Sequence, residues 1–450
     1  MTKFNKAKIY ALGMAIPLHS RIYNLEVQAK KDGSEVIVAG WLADIRNLGK
    51  LAFLKLRDRS GYLQIVATED FKGFKKLSDI SLESVIVIKG KVKPSKAKAG
   101  GKELQLTDFE VISLADSHLP IDMTGKIPTD LSKRLDWRVL DLRNPKHLAV
   151  FKLRSAINHY IREFLIKDGF IEMQSPKIVG AGAEGGATLF PVSYYGKKAY
   201  LSQSQQLYKQ MLLATGLDKV FEIAPTFRAE VSHTTRHLAE FTHFDFEMAW
   251  IEDEDDVLKV LENCFVAILK QLKDKNTADL SLLNVAIEVP KLPFPRITYE
   301  EAIELLKKSG IKIKAGDDIG TDDERKLGEI IKAKYKTDAY FITKYPYDIK
   351  PFYIMKDGKK ASKGFDFEYK GEEMASGGQR EHRYDVLVEQ IKEKGLKPKD
   401  FESYLNAFKY GCPPHGGFGL GMDRLVKNIL NLENIREAVL FPRDTERLTP

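Results

Sequence analysis

The sequence contains two cysteines in 450 residues, Cys264 and Cys412, far apart in the chain. That excludes a disulfide framework and a cysteine-based metal site, and it fits a reducing compartment, so a cytoplasmic location is the expectation. No apolar run reaches the roughly 20 residues that a membrane-crossing helix needs. The apolar stretch Ile9–Leu18 is broken by Gly13 and Pro17. His19, Ser20 and Arg21 follow it instead of a small-x-small cleavage pattern, so a secretory leader is not expected. The common nucleotide fingerprints are also missing: no GxxxxGK[ST], and no GxGxxG opening a helix after a buried parallel strand. There is no internal repeat, and the one biased stretch is the basic KPSKAKAGGK.

Charge is present but unevenly placed. The first 115 residues carry 20 Lys and Arg against 12 Asp and Glu, which is the whole of the net +8; the other 335 are balanced. A polyanion-binding front domain joined to a different back domain follows from that asymmetry and from the length. We place the front domain at 1–115, a hinge at 116–145 and the back domain at 146–450, with an inserted module near 280–340. VIVAGWL, LAFLKLRD, GYLQIVAT, SVIVIKGKV and ELQLTDFEVI read as five short strands separated by turns. Their spacing predicts an all-β Greek-key barrel of the oligonucleotide-binding (OB) type, with a helix over Phe71–Leu82 between the third and fourth strands. Phe53 for base stacking, Gln64 for reading a base edge and Arg46 nearby fit a nucleic-acid face.

From Leu148 the period becomes helical until Gly169. Further helices are expected at Asp255–Leu272, Tyr299–Ser309 and Asp322–Tyr335, and strands at Phe365–Tyr369 and Glu373–Ser376. Strands clustered between helices without βαβ alternation predict an α+β domain on an antiparallel sheet. Three distant segments share one chemical theme. FEIAPTFRAEVSHTTRHLAEFTHFDFEMAW (221–250) alternates cations and anions, among them Arg228, Glu230, His233, Arg236, His237, Asp245 and Glu247. A solvated, charge-laced hairpin would read the same way. FDFEYKGEEMASGGQREHRYD places Asp366 and Glu373 seven apart, then Ser376 and Arg380. GGFGLGMDR gives flexible glycines leading to Arg424, and these glycines fit turn chemistry as readily as a phosphate loop. Arginines able to clamp phosphates and two carboxylates able to hold Mg²⁺ are the parts of a nucleotide-consuming site.

With these residues in view, the chain resembles class II aminoacyl-tRNA synthetases with an N-terminal OB barrel, most of all the archaeal and eukaryotic aspartyl type. IKDGFIEMQSPKI resembles motif 1, FEIAPTFRAE…RHLAEFTHFDFEM motif 2 and PPHGGFGLGMDRLV motif 3. The resemblance runs from about Val36 to Pro450. It implies ATP-dependent activation of L-aspartate, transfer to tRNA, Mg²⁺, and a homodimer through Pro176. It assigns the α-phosphate to Arg228, the adenine and acceptor-end region to Glu230, Arg236, His237 and Phe241, and the γ-phosphate to Arg424. It gives Mg²⁺ to Asp366, Glu373 and Ser376. Aspartate falls to Glu184, Ser204, Gln206, Lys209, Asp245, Ser376 and Arg380, and the anticodon to Arg46, Phe53 and Gln64. Lysine at 209 implies a substrate carboxylate, since an amide would not offset its desolvation. Two positions depart from the pattern: Gln205 stands for a proline, and Thr188 for a second acid in the loop that carries Glu184. Alternatives are an enzyme that also charges the asparagine tRNA, an asparaginyl enzyme, a small-molecule asparagine synthetase on the same fold, and a non-charging RNA-binding paralogue.

Overall fold

The computed structural model describes residues 16–96, 100–180, 189–230 and 235–450. The chain divides into two compact units, 1–122 and 123–450. In the first, β1 (Glu35–Asn47), β2 (Leu51–Asp58), β3 (Gly61–Thr68), β4 (Val85–Pro94) and β5 (Lys102–Ser113) close a barrel in the order β1-β2-β3-β5-β4. Alternation sets its two faces: Ala52, Leu54, Leu56, Leu63 and Ile65 point inward and are buried, and their neighbours point out. The segment between β3 and β4 forms only a 3₁₀ turn, Phe74–Asp79, which is shorter than the expected helix. Gly73 stands at its N-terminus, and Leu77 and Ile80 anchor it in the barrel core.

In the second unit, the later part of the stretch expected as a hinge forms two short helices. Asp130 caps α1 (Leu131–Asp136), accepting from the Lys133 amide, and α2 (Arg138–Asp141) follows. Arg138 is buried and donates to Asp141 at 2.7 Å and to the carbonyls of Val439 and Leu440 at 2.8 and 3.0 Å, which fastens this segment to the C-terminal tail. The boundary at 122/123 therefore falls early in the expected hinge.

Eight strands form the main sheet: β6 (Ile171–Glu172), β7 (Lys219–Phe227), β8 (Glu240–Ala249), β9 (Arg296–Thr298), β10 (Ala339–Thr343), β11 (Gly364–Tyr369), β12 (Glu373–Gln379) and β13 (His415–Gly421). Their order is β9-β10-β11-β12-β13-β8-β7-β6. The six central strands are antiparallel and each edge pair is parallel. Helices α3 (Pro145–Lys167) and α4 (Glu254–Lys275) cover one face and share its core with Phe221, Phe244, Phe246, Phe365, Phe367 and Phe418. Because side chains alternate, the residues between those phenylalanines point to the other face. Helices α5 (Tyr299–Lys308) and α6 (Thr321–Tyr335) pack with β9 and β10 around a smaller core. The glycines of motif 3, expected as a flexible lead-in, form the central strand β13. A Cβ at Gly417 would lie 2.1 Å from the Phe246 carbonyl oxygen, so no other residue fits that close approach.

Asp141 supports a stability prediction. Burial opposes its ionisation, but His147 and Arg134 outweigh burial and hold its pKa at about 2. A depressed folded-state pKa stabilises fully above the ordinary carboxylate range near 4 and is lost as pH falls toward about 2. Asp141→Asn leaves Arg138 buried without its carboxylate, so denaturant unfolding at pH 7 should show a loss of about 3–5 kcal/mol. The gap between wild type and variant should narrow between pH 4 and 2; a gap independent of pH would refute the ionic account.

Candidate active site

The face of the main sheet opposite the phenylalanine core carries one row of polar residues. Register pairs Asp366 with Ser376, Ser376 with Gly419, and Gly419 with Asp245, so four adjacent strands contribute one position each. A β-bulge follows Phe367: Phe367 pairs with Ala375, but Glu368 pairs with Glu373. The residue skipped is Met374, which lets Glu373 and Ser376, three apart in sequence, serve the same face. Gly419 keeps the row open, since a Cβ there would lie 2.4 Å from the His243 ring.

Above this row is a cavity of about 320 Å³. Its walls bring together twelve of the expected residues. Arg228, Glu230, Arg236, His237 and Phe241 come from the β7–β8 hairpin; Ser204 and Gln206 from the segment before β7; Asp245 from β8; Glu373, Ser376 and Arg380 from β12 and its end; and Arg424 from the helix after β13. The Arg228 guanidinium lies over the Phe241 ring, 5.6 Å from its centroid. Burial, then the positive charge of Arg424, lowers the His237 pKa, so its imidazole is neutral at pH 7. Arg424 donates to the Glu373 carbonyl at 2.6 Å and lies 3.4 Å from the Glu372 carboxylate. Arg236 reaches across to Glu324 on α6 at 3.0 Å and to Glu372 at 3.3 Å.

Among the described residues of the second unit, two expected site residues do not line the cavity. Asp366 is covered by Lys350, which itself lines the wall. Lys209 is fully enclosed: its Nζ donates to Asp245 Oδ1 and to the Phe418 carbonyl, both at 2.8 Å, and lies 3.3 Å from Glu247. Arg380 binds Glu247 with Nε at 2.7 Å and Nη2 at 3.2 Å, and Nη2 also reaches the Gly417 carbonyl and Gln206. Two cations and two carboxylates thus form one buried network. Burial alone would raise the pKa of both acids, but Lys209 and His243 hold Asp245 well below the usual range, and Arg380 and Lys209 lower Glu247.

Of the two departures, Gln205 is buried and donates to Thr226 at 3.1 Å. Thr188 lies outside the described residues, as do Glu184 and His233. In the barrel, Arg46 pairs with Phe53 across β1 and β2, and Phe53 lies diagonal to Gln64 on β3. All three sit on the outer face; Arg46 holds Asp44 at 3.1 Å and Gln64 donates to Glu103 at 2.7 Å.

Sequence reasoning gave no role to Glu247, Lys350, Glu324 or Glu372. Glu247 had a signal, being two residues beyond Asp245 on a strand and so on the same face. Lys350, in a loop without a motif, had none.

Asp366, Glu373 and Ser376 can be tested as a Mg²⁺ site from the chain alone. Burial, and next the nearby Asp366, raises the Glu373 pKa to about 7. Carboxylates that repel each other in a buried wall suit a hard divalent cation. Among the described residues no group of three or more His, Cys, Asp and Glu is placed to hold a metal. Two carboxylates and a hydroxyl fit a cation whose remaining ligands are phosphate oxygens and water.

Comparison with known proteins agrees with both units. Residues 36–112 match the OB-fold nucleic acid binding domain, and residues 130–445 match a family described as tRNA synthetases class II (D, K and N). The chain is 48% identical over 433 residues to the aspartate–tRNA(Asp) ligase of Pyrococcus furiosus, covering 95% of this chain and 99% of that one. It is 47% identical over 431 residues to the aspartate–tRNA(Asp/Asn) ligase of Methanopyrus kandleri, with coverage of 95% and 99%. Among solved structures, the asparaginyl-tRNA synthetase of Pyrococcus horikoshii with asparaginyl-adenylate superposes with a TM-score of 0.89 at 37% identity, covering 96% of this chain and 99% of that one. A barrel that matches an OB-fold nucleic acid binding domain and an antiparallel sheet that gathers arginines and paired acids on one face are found together here, and the chain belongs to the class II tRNA synthetases of the D, K and N family.

Proposed function

We propose that this chain activates L-aspartate with ATP and transfers the aspartyl group to the terminal ribose of tRNA. The observation that carries the choice of aspartate is the cationic pair at the end of the cavity. Arg380 lines the wall, and Lys209 stands directly behind Asp245. A substrate side-chain carboxylate would be met by Arg380 in a charge-assisted contact, with the Lys209 charge supporting it. Asp245 would receive the α-ammonium, and Ser204 and Gln206 would orient the substrate.

In the first step an α-carboxylate oxygen of aspartate attacks the α-phosphorus of ATP, and the bond to the bridging oxygen breaks to release pyrophosphate. The carboxylate is already ionised, so no base is needed; position and electrostatics supply the rate. Arg228 would steady the α-phosphate, Phe241 stack on adenine, and Arg424 hold the γ-phosphate. Mg²⁺ at Asp366, Glu373 and Ser376 would neutralise charge that builds on the leaving group. In the second step a ribose hydroxyl of tRNA attacks the activated carbonyl and AMP leaves.

The reading is tested by charging purified aspartate and asparagine tRNAs side by side with labelled aspartate. Charging of the first alone makes the enzyme discriminating; charging of both makes it relaxed; charging of neither overturns the proposal. Lys209→Met should lower kcat/KM in aspartate-dependent pyrophosphate exchange at least about tenfold, the worth of a charged contact. Thermal unfolding is followed alongside, because the same change leaves Asp245 and Glu247 undercompensated. An unchanged kcat/KM would remove the carboxylate assignment. Phe53→Ala should weaken tRNA charging about 5- to 150-fold, the range of one lost base stack, and leave amino-acid activation intact. Equal loss of both activities would count against the barrel as anticodon reader. A homodimer through the segment around Pro176 is supported by its exposed neighbours Ile171 and Ile178; a monomeric mass by light scattering would refute it.

A further inference from the structure

Lys350 lies in the loop after β10, outside every motif the sequence shows. Its Nζ donates to both carboxylate oxygens of Asp366 at 2.8 Å and to Ser376 Oγ at 3.4 Å. It also lies 3.8 Å from the centroid of the Tyr345 ring. The side chains of Lys350 and Asp366 are each 9% exposed. The lysine stem runs over Gly364, where a Cβ would approach its Cγ to 3.2 Å, so the strand is shaped to admit it. Glu373, the third residue assigned to the metal, feels the same positive charge. One ammonium thus contacts two of the three residues assigned to Mg²⁺, Asp366 and Ser376. A surface lysine would find a partner without this enclosure. This one is enclosed against Asp366 and Ser376.

We propose that Lys350 is a built-in stand-in for the divalent cation: its ammonium holds Asp366 and Ser376 in place in the nucleotide-free enzyme and must withdraw for a metal to enter. This rests on the assignment of Mg²⁺ to Asp366, Glu373 and Ser376. An ammonium and a divalent ion cannot share the two Asp366 oxygens at contact distance, because like charges so close in a buried site repel strongly. The free enzyme therefore takes up the divalent ion weakly. ATP changes the balance, since its phosphates bring ligands for the metal and a second anionic partner for the displaced lysine. Metal and nucleotide then arrive together, and the acids neither repel each other nor trap an ion beforehand. Lys350 is a positioning residue in this account.

The test measures Mn²⁺ binding to the whole enzyme without nucleotide, by the loss of the free-ion paramagnetic resonance signal, for wild type, Lys350→Met and Lys350→Gln. Both variants remove the charge, Met keeps the stem and Gln a polar head, and thermal unfolding confirms which are folded. The expected result is Mn²⁺ affinity at least tenfold above wild type in the variants, abolished when Asp366→Asn is added. Equal affinity in wild type and variants overturns the proposal, as does a gain that survives Asp366→Asn. A parallel arm adds a non-hydrolysable ATP analogue. If Mn²⁺ then binds wild type through Asp366 but the variants show no gain without nucleotide, the stand-in is wrong and the metal site stands. If Asp366→Asn has no effect on Mn²⁺ binding even with the analogue, the metal assignment fails and this proposal with it.

Discussion

The buried network of Lys209, Asp245, Glu247 and Arg380 is the constraint on which the catalytic unit depends. Each of these groups would destabilise the fold if buried alone, and breaking such a set by removing one member costs more than the set contributes intact. They persist because every charge has a partner at 2.7–3.3 Å and carbonyls of β13 accept one further hydrogen bond from each cation. That need fixes the register of three elements at once: the helix carrying Lys209, strand β8 with both acids, and the end of β12 with Arg380. The positions of these side chains are therefore fixed by their own pairing, which is what discrimination between a carboxylate and an amide at this end of the cavity would demand.

The glycines of β13 follow from the same constraint. Lys209 and Arg380 can reach carbonyls of that strand only if nothing stands between them and its backbone. A side chain at Gly417 would collide with Glu247 as well as with the Phe246 carbonyl, and one at Gly419 with His243 and Asp245. Glycine weakens a strand in isolation, so this one is held by its neighbours on both sides and by the phenylalanine core beneath it. The cost in strand propensity is offset by the polar floor it makes possible.

That trade explains which features were legible in the sequence. The barrel was readable because alternation and turns are local, and so was the face of β8, where Phe244 and Phe246 alternate with His243, Asp245 and Glu247. The identity of β13 was not, because glycine carries no periodic signal and its strand is dictated by contacts from β8 and β12. The bulge at Met374 was equally hidden: the seven-residue spacing of Asp366 and Glu373 says nothing of a skipped residue. Twelve assigned side chains converge on one cavity, yet the sequence could not show that Lys209 is already neutralised, or that Lys350 covers Asp366. Both facts depend on which charges are buried together, and that is decided by tertiary packing.

Charge balance also separates the work of the two units. After residue 115 cations and acids are equal in number, and the site's own charges are paired with one another, so a substrate there would meet fixed local fields and not a general attraction. The excess charge resides in the N-terminal 115 residues, among them Arg46 beside Phe53 on the outer face of the barrel. Attraction to a polyanion arises where charge is uncompensated and exposed, because counterion release needs accessible cations. Lys209 and Arg380 are too deeply buried and too well paired to take part in it. The two kinds of positive charge in this chain therefore have different physics. The barrel's is mostly at the surface, where salt screens it, and would suit capture of a long nucleic acid. The catalytic site's is desolvated and paired, where salt screens little, and would suit reading one carboxylate.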